Sequence, residues 1–200
     1  MQNRPWGKVR SERVVLGVGI QVAKAKQIER VVGALLEAKP AMLEVYGPRR
    51  CVVCTRVAIE ACRAVGLKAS PCAVEVDIVM PSGFEAHMGF EPSGAMRPGD
   101  WNGHLVAVIE NRALLDLTLD SMTVPDADLY PGPFTAPVDA KFAEGQVTTF
   151  EVGGGIEVTY TPHPENREFL TREDWGDRLE RERVLPGVLA NLGRPKIHAL

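Results

Sequence analysis

The sequence predicts an α+β domain: helices gathered early in the chain, packed on a mostly antiparallel sheet built by the later part. Three observations carry this. Apolar residues recur at helical spacing before residue 66. Alternating, β-branched runs begin after Pro71. Two pairs of runs are joined by tight turns, Glu110-Asn-Arg112 and Gly153-Gly-Gly155, which makes each pair an antiparallel hairpin. A chain of 200 residues, 45% of them hydrophobic, can bury a core without metal or disulfide staples. Residues 1–200 therefore read as one domain, with a helical half over about 22–66, a sheet half over about 72–160 and a C-terminal helix over about 172–183.

The first helix is read from Val22 to Glu37, where Ile28, Val31, Val32, Leu35 and Leu36 share a face; Pro40 is expected to stop it. The second runs from Cys51 to just before Gly66, a residue suited to the left-handed position after a helix end. A helical wheel puts Cys51, Cys54, Val57, Ala58, Ala61, Cys62 and Val65 on one apolar arc, with Arg56, Glu60 and Arg63 opposite. Cys72 to Met80 alternates and reads as a strand. The stretch from Pro81 to Gly103 is rich in Gly, Pro and Ser, and its length suggests a lid or binding loop. Strands at Gly103 to Ile109 and Ala113 to Leu119 flank a tight turn at Glu110-Asn-Arg112, and Ser121 to Gly145 reads as irregular surface chain. Val147 to Val152 and Ile156 to Tyr160 form a hairpin around three glycines. Thr171, with Asp174 three residues on, marks the start of the last helix, and Pro186 interrupts the chain beyond it.

Charge and composition narrow the function. A net charge of −3, with Lys and Arg scattered among carboxylates, argues against a nucleic-acid partner, which needs clustered basic residues. No apolar run approaches the roughly 18 to 20 residues that span a bilayer, and the short run Val14 to Ile20 leads into a charged helix rather than a cleavage site. The chain therefore reads as cytoplasmic, with no membrane partner. Four cysteines are too few for a secreted disulfide framework, so they read as reduced thiols.

One constellation could carry chemistry. Cys51 falls at the first turn of a helix, where free backbone N–H groups and the helix dipole stabilise a thiolate; Arg49 and Arg50 push the same way. The hairpin supplies two further groups. With a three-residue turn, one face carries His104, Val106, Val108, Leu114, Asp116, Thr118 and Asp120. The other carries Leu105, Ala107, Ile109, Ala113, Leu115, Leu117 and Leu119, all apolar. Such a pair packs its apolar back on a core and presents His104 and Asp116 to a cleft. An unpaired carboxylate in a run of leucines costs several kcal/mol, so Asp116 is expected to have a partner; Asp120 has the same parity and is the substitute.

The segment Cys51-Val-Val-Cys-Thr-Arg-Val-Ala-Ile-Glu-Ala-Cys-Arg-Ala-Val-Gly66 resembles the nucleophile helix of the transglutaminase-like cysteine peptidase superfamily. Gly103-His104-Leu-Val-Ala-Val-Ile and Leu115-Asp116-Leu-Thr118 resemble its His and Asp-x-Thr strands. Together they cover residues 46–120. The resemblance implies a papain-like, transglutaminase-like α+β core and a Cys51, His104, Asp116 triad acting on a peptide, protein or small amide substrate without a cofactor. The sequence departs from the family at Arg50, where a glycine is usual, at Leu-Val after the histidine, and in a shorter His-to-Asp hairpin. Arylamine N-acetyltransferases share the triad order but are longer, with an Arg-Gly-Gly-x-Cys motif absent here, so acyl transfer of that kind is a minor alternative. A second oxyanion donor has no sequence signature; Tyr46, Trp101 or a loop amide are candidates.

Other readings stand beside this one. Cys54 and Cys62 lie on the core arc, and a thiol on an apolar helix face often only packs. Cys51-x-x-Cys54 is also half a zinc or redox motif, but Cys62, Cys72, His87 and His104 do not form a second pair. His163, His198 and the helix carrying Trp175 read as structural or solvent-facing. A binding or structural protein that keeps the fold without turnover is the alternative of a different class.

Overall fold

The computed structural model describes residues 20–46, 51–90, 101–119, 133–176 and 178–193. Two long helices, α1 (Ile20–Tyr46) and α2 (Cys51–Ala64), lead into an antiparallel sheet of seven strands. The strands are β1 (Ala69–Val79), β2 (Glu85–Met88), β3 (His104–Ile109), β4 (Ala113–Asp116), β5 (Phe134–Pro137), β6 (Thr148–Val152) and β7 (Ile156–Pro162). A short α3 (Glu173–Gly176) and then α4 (Arg178–Gly193) complete the described chain. The sheet order is β5-β4-β3-β1-β7-β6, with β2 paired to β1 off that path. The architecture is α+β, with helices on one face of a curled antiparallel sheet.

Two prolines expected to end or interrupt helices lie inside them. Pro40 sits within α1 and Pro186 within α4. Each removes one backbone donor, at a local cost of ~3 kcal/mol. Burial beyond each proline offsets this: Met42 is fully buried after Pro40, and Val188 and Leu192 are buried after Pro186, one and two turns on from buried Val184. Helix α2 ends as its sequence predicts. Gly66 is left-handed at φ 79°, its N–H donating to the Arg63 carbonyl at 3.0 Å while Leu67 N–H donates to that of Cys62 at 2.9 Å. The helix is buried on more sides than the wheel implies, since Val52, Val53, Thr55 and Ile59 are also buried. The cause is position: α2 packs on β3 and β1 and against α1 and α4.

The sheet corrects the sequence reading in four places. Strand β1 begins at Ala69, before Pro71, because Pro71 falls in the half of β1 that pairs with β3 alone, an edge where a missing N–H is tolerated. Part of the expected lid is the strand β2, which turns back at residues 81–83 and pairs Val79 with Glu85; residues 91–100 lie outside the described residues. Part of the stretch expected to be irregular is β5, which pairs Phe134 with Asp116, and a 3-10 turn at Ala140–Glu144 capped by Asp139. Thr171 does not cap the last helix; it ends a 3-10 turn and its hydroxyl donates to the Glu168 carbonyl at 2.8 Å.

The β3–β4 register is the three-residue one, pairing Ile109 with Ala113, Val108 with Leu114 and Ala107 with Leu115. Glu110 and Asn111 are both left-handed at φ 52°. Glu110 is held there by Lys24 at 2.7 Å and by the Lys68 amide, also at 2.7 Å, both donating to its carboxylate. The faces of this hairpin are not core and cleft, as the pattern suggests, but two cores. Ala107, Ile109, Leu115 and Leu117 meet the helices. Val106, Val108 and Leu114 join Phe134, Phe142 and Tyr160 inside the curl of the sheet. Leu119 belongs to that second core rather than the first, because β4 stops at Asp116 and the alternation stops with it.

Candidate active site

Cys51, the first residue of α2, is half-buried. One turn later the buried Thr55 hydroxyl donates to the Leu105 carbonyl at 2.8 Å. That bond ties the start of α2 to β3 one residue past His104, so the thiol and the imidazole are set by one short linkage. The Cys51 side chain is near enough to His104 to act on its titration.

His104 opens β3 and is 2% exposed. Its Nε2 lies 2.7 Å from Asp116 Oδ2, which leaves Nδ1 as the ring nitrogen for the thiol. Extending the hairpin register by one pair sets Asp116 opposite Val106 and diagonal to His104. Asp116 is fully buried, and both carboxylate oxygens are occupied. Oδ1 accepts from the Thr118 amide at 2.9 Å and the Thr118 hydroxyl at 3.4 Å. Oδ2 accepts from Tyr160 Oη at 3.2 Å besides its bond to His104. The three residues singled out in the sequence, from three separate elements, thus come together, His104 bonded to Asp116 and acted on by Cys51.

The electrostatics stem from burial and from that carboxylate. Burial by itself pushes the His104 imidazole down, but the charge and hydrogen bond of Asp116, with a smaller part from Cys51, outweigh it and push His104 up to about 10. The cysteines away from the site differ. Burial pushes Cys62 up to about 12, with Glu110 adding to it. Burial also pushes Cys72 up to about 11, where Arg167 lowers and Glu165 raises it. All four cysteines are free thiols, and among the described residues no group of His, Cys, Asp or Glu could hold a metal ion.

Around Cys51 the wall is aromatic. Val52, Ala73, Trp101, Leu105 and Phe169 form a buried cluster, with Phe90 and Trp175 packed against it. Trp101 meets Phe90 and Phe169 edge-on or tilted, at 6.1 and 5.7 Å between centroids. Its indole N–H is buried with no hydrogen-bond partner among the described residues. Gly103 is required here, since a Cβ would lie 2.3 Å from the Trp101 ring.

Sequence reasoning misses Thr55, Tyr160, Phe169 and Trp175. Trp175, expected to be structural or solvent-facing, packs on the Cys51 cluster with the Arg56 guanidinium 4.8 Å above its ring. Asp120, Arg49, Arg50 and His198 lie outside the described residues, as does the side chain of Tyr46. No helix among the described residues is long and apolar enough to cross a membrane. Comparison with protein-family models, with curated proteins and with solved structures finds no match in any of the three.

Proposed function

We propose that this chain is a cysteine-dependent hydrolase or acyltransferase with a papain-like, transglutaminase-like core, acting in the cytoplasm on a peptide, protein or small amide substrate. One observation carries the reading: a half-buried thiol at a helix N-terminus acts on a buried histidine whose Nε2 is held by a fully occupied carboxylate. A histidine that only filled space would not need that arrangement, and a cysteine that only packed would not need the histidine.

In this reading Cys51 Sγ attacks the substrate carbonyl carbon, its proton having passed to His104 Nδ1. The tetrahedral intermediate collapses, the C–N bond breaks, and the His104 proton goes to the leaving amine. Water, or an acceptor amine, then attacks the thioester while His104 takes its proton, and the thiol is regenerated. Asp116 keeps the imidazole oriented and offsets its positive charge. General acid–base work of this kind contributes ~10² to 10⁴ in rate. The backbone N–H groups that begin α2 face developing negative charge on the carbonyl oxygen.

The test is alkylation with subsequent peptide mapping. At about pH 6, iodoacetamide should modify Cys51 well ahead of Cys54, Cys62 and Cys72, and His104→Gln should remove the difference. If Cys51 reacts no faster than the other three, or is indifferent to the loss of His104, the enzyme reading fails and the non-catalytic one replaces it.

A further inference from the structure

Tyr160 lies outside everything that the order Cys, His, Asp requires. It comes from β7, separated from β4 in the sheet order by β3 and β1, and reaches Asp116 only because the sheet curls. Its ring is fully buried, stacked on Phe134 at 5.8 Å and edge-on to Phe150 at 6.1 Å. That packing leaves its hydroxyl fixed, and the hydroxyl donates to Oδ2, the same oxygen that holds His104 Nε2. Oδ1 is already served by Thr118, so Tyr160 is not needed to keep the carboxylate in place.

We propose that Tyr160 is a positioning residue that sets the basicity of His104 by sharing Asp116 Oδ2 with it. The proposal rests on the thiol-enzyme reading above and deepens it. A hydroxyl proton directed at Oδ2 takes up part of the charge that stabilises the imidazolium. Without it, Oδ2 serves His104 alone and the proton is held more tightly. A histidine held too tightly cannot release its proton to a leaving amine or recover it from water, so the hydroxyl keeps the imidazole within reach of both steps. The titratable groups acting on His104 are Asp116 from β4 and Cys51 from α2. On β1, the other strand beside it, His104 is paired with apolar Val74.

The experiment uses the full chain with ring-labelled histidine, His104 being assigned by its loss in His104→Gln. In Tyr160→Phe the His104 titration should move up by about one pH unit, and the matching step in the pH profile of Cys51 alkylation should move with it. A role in packing alone would leave both where they are, because phenylalanine keeps the ring. A second measurement needs no variant: in wild-type protein carrying [¹³Cζ]tyrosine, the Tyr160 resonance should step at the pH where His104 titrates. An unmoved His104 titration in folded Tyr160→Phe, or a Tyr160 resonance indifferent to His104, overturns the proposal. If Cys51 nevertheless keeps its His104-dependent reactivity, the proposed function survives that loss. If Cys51 lacks such reactivity in the wild-type chain, both fall together.

Discussion

A fully buried carboxylate is costly unless its oxygens are occupied, and each oxygen of Asp116 takes two hydrogen bonds. Substituting Asp116→Asn keeps the shape but removes the charge and offers donors where acceptors are needed. Turnover, or Cys51 alkylation at mildly acid pH, should fall by on the order of 10² to 10⁴, and a variant within about threefold of wild type would contradict the role given to Asp116. Thr55 is a second residue on which the geometry hangs. Thr55→Val removes the bond to Leu105 without changing size, and chemical denaturation should register a loss of about 1 to 2 kcal/mol; an unchanged midpoint would mean that the bond adds nothing. Asp116 is legible in the sequence because a carboxylate among leucines demands a partner. Thr55 and Tyr160 are not, because each is a polar group whose acceptor lies 44 or more residues away, and periodicity reports only which way a side chain faces.

At the level of elements, local signals serve where local physics decides. The Gly66 helix end, the three-residue hairpin turn and the glycine turn at 153–155 joining β6 to β7 are each readable from their own residues. Elements defined by a distant partner are not: β2 and β5 are four residues each and exist because β1 and β4 offer an edge. Prolines mislead for a similar reason, since tertiary burial is what holds α1 and α4 together past Pro40 and Pro186. Two glycines separate backbone effects from contact effects. Gly66→Ala meets no neighbouring atom, so only its left-handed backbone is strained; it should lose about 1 to 2 kcal/mol of stability and leave Cys51 reactivity unaltered. Gly103→Ala instead drives a methyl into Trp101, with Phe90 2.9 Å away, and should change the alkylation rate of Cys51 even where denaturation shows the variant folded. Equal effects of the two substitutions on reactivity would mean that the aromatic wall does not matter.

At the scale of the molecule, the sheet divides two cores, and the His104–Asp116 pair stands at its end, tied to both. Because His104 is raised from 6.5 to about 10, its contribution to stability is complete below 6.5 and disappears as pH rises through about 10. Thermal melting across that interval should therefore show a decline that flattens in His104→Gln; parallel curves for the two proteins would remove His104 as the cause. The α+β class is legible from order and spacing alone, since helical periods precede strand periods. The curl of the sheet is not, because it depends on β1 taking β3 on one side and β7 on the other.

That placement of β1 has a consequence in time. Its partner β7 is made long after it, Val74 pairing with Pro162, and Tyr160, which shares the Asp116 oxygen, lies on that same late strand. While the chain is being synthesised, the cysteine, the histidine and the aspartate all emerge from the ribosome well before the strand that completes their surroundings. A nascent chain carrying all three therefore still lacks β7, and with it the Tyr160 hydroxyl on Asp116, until translation has passed residue 160.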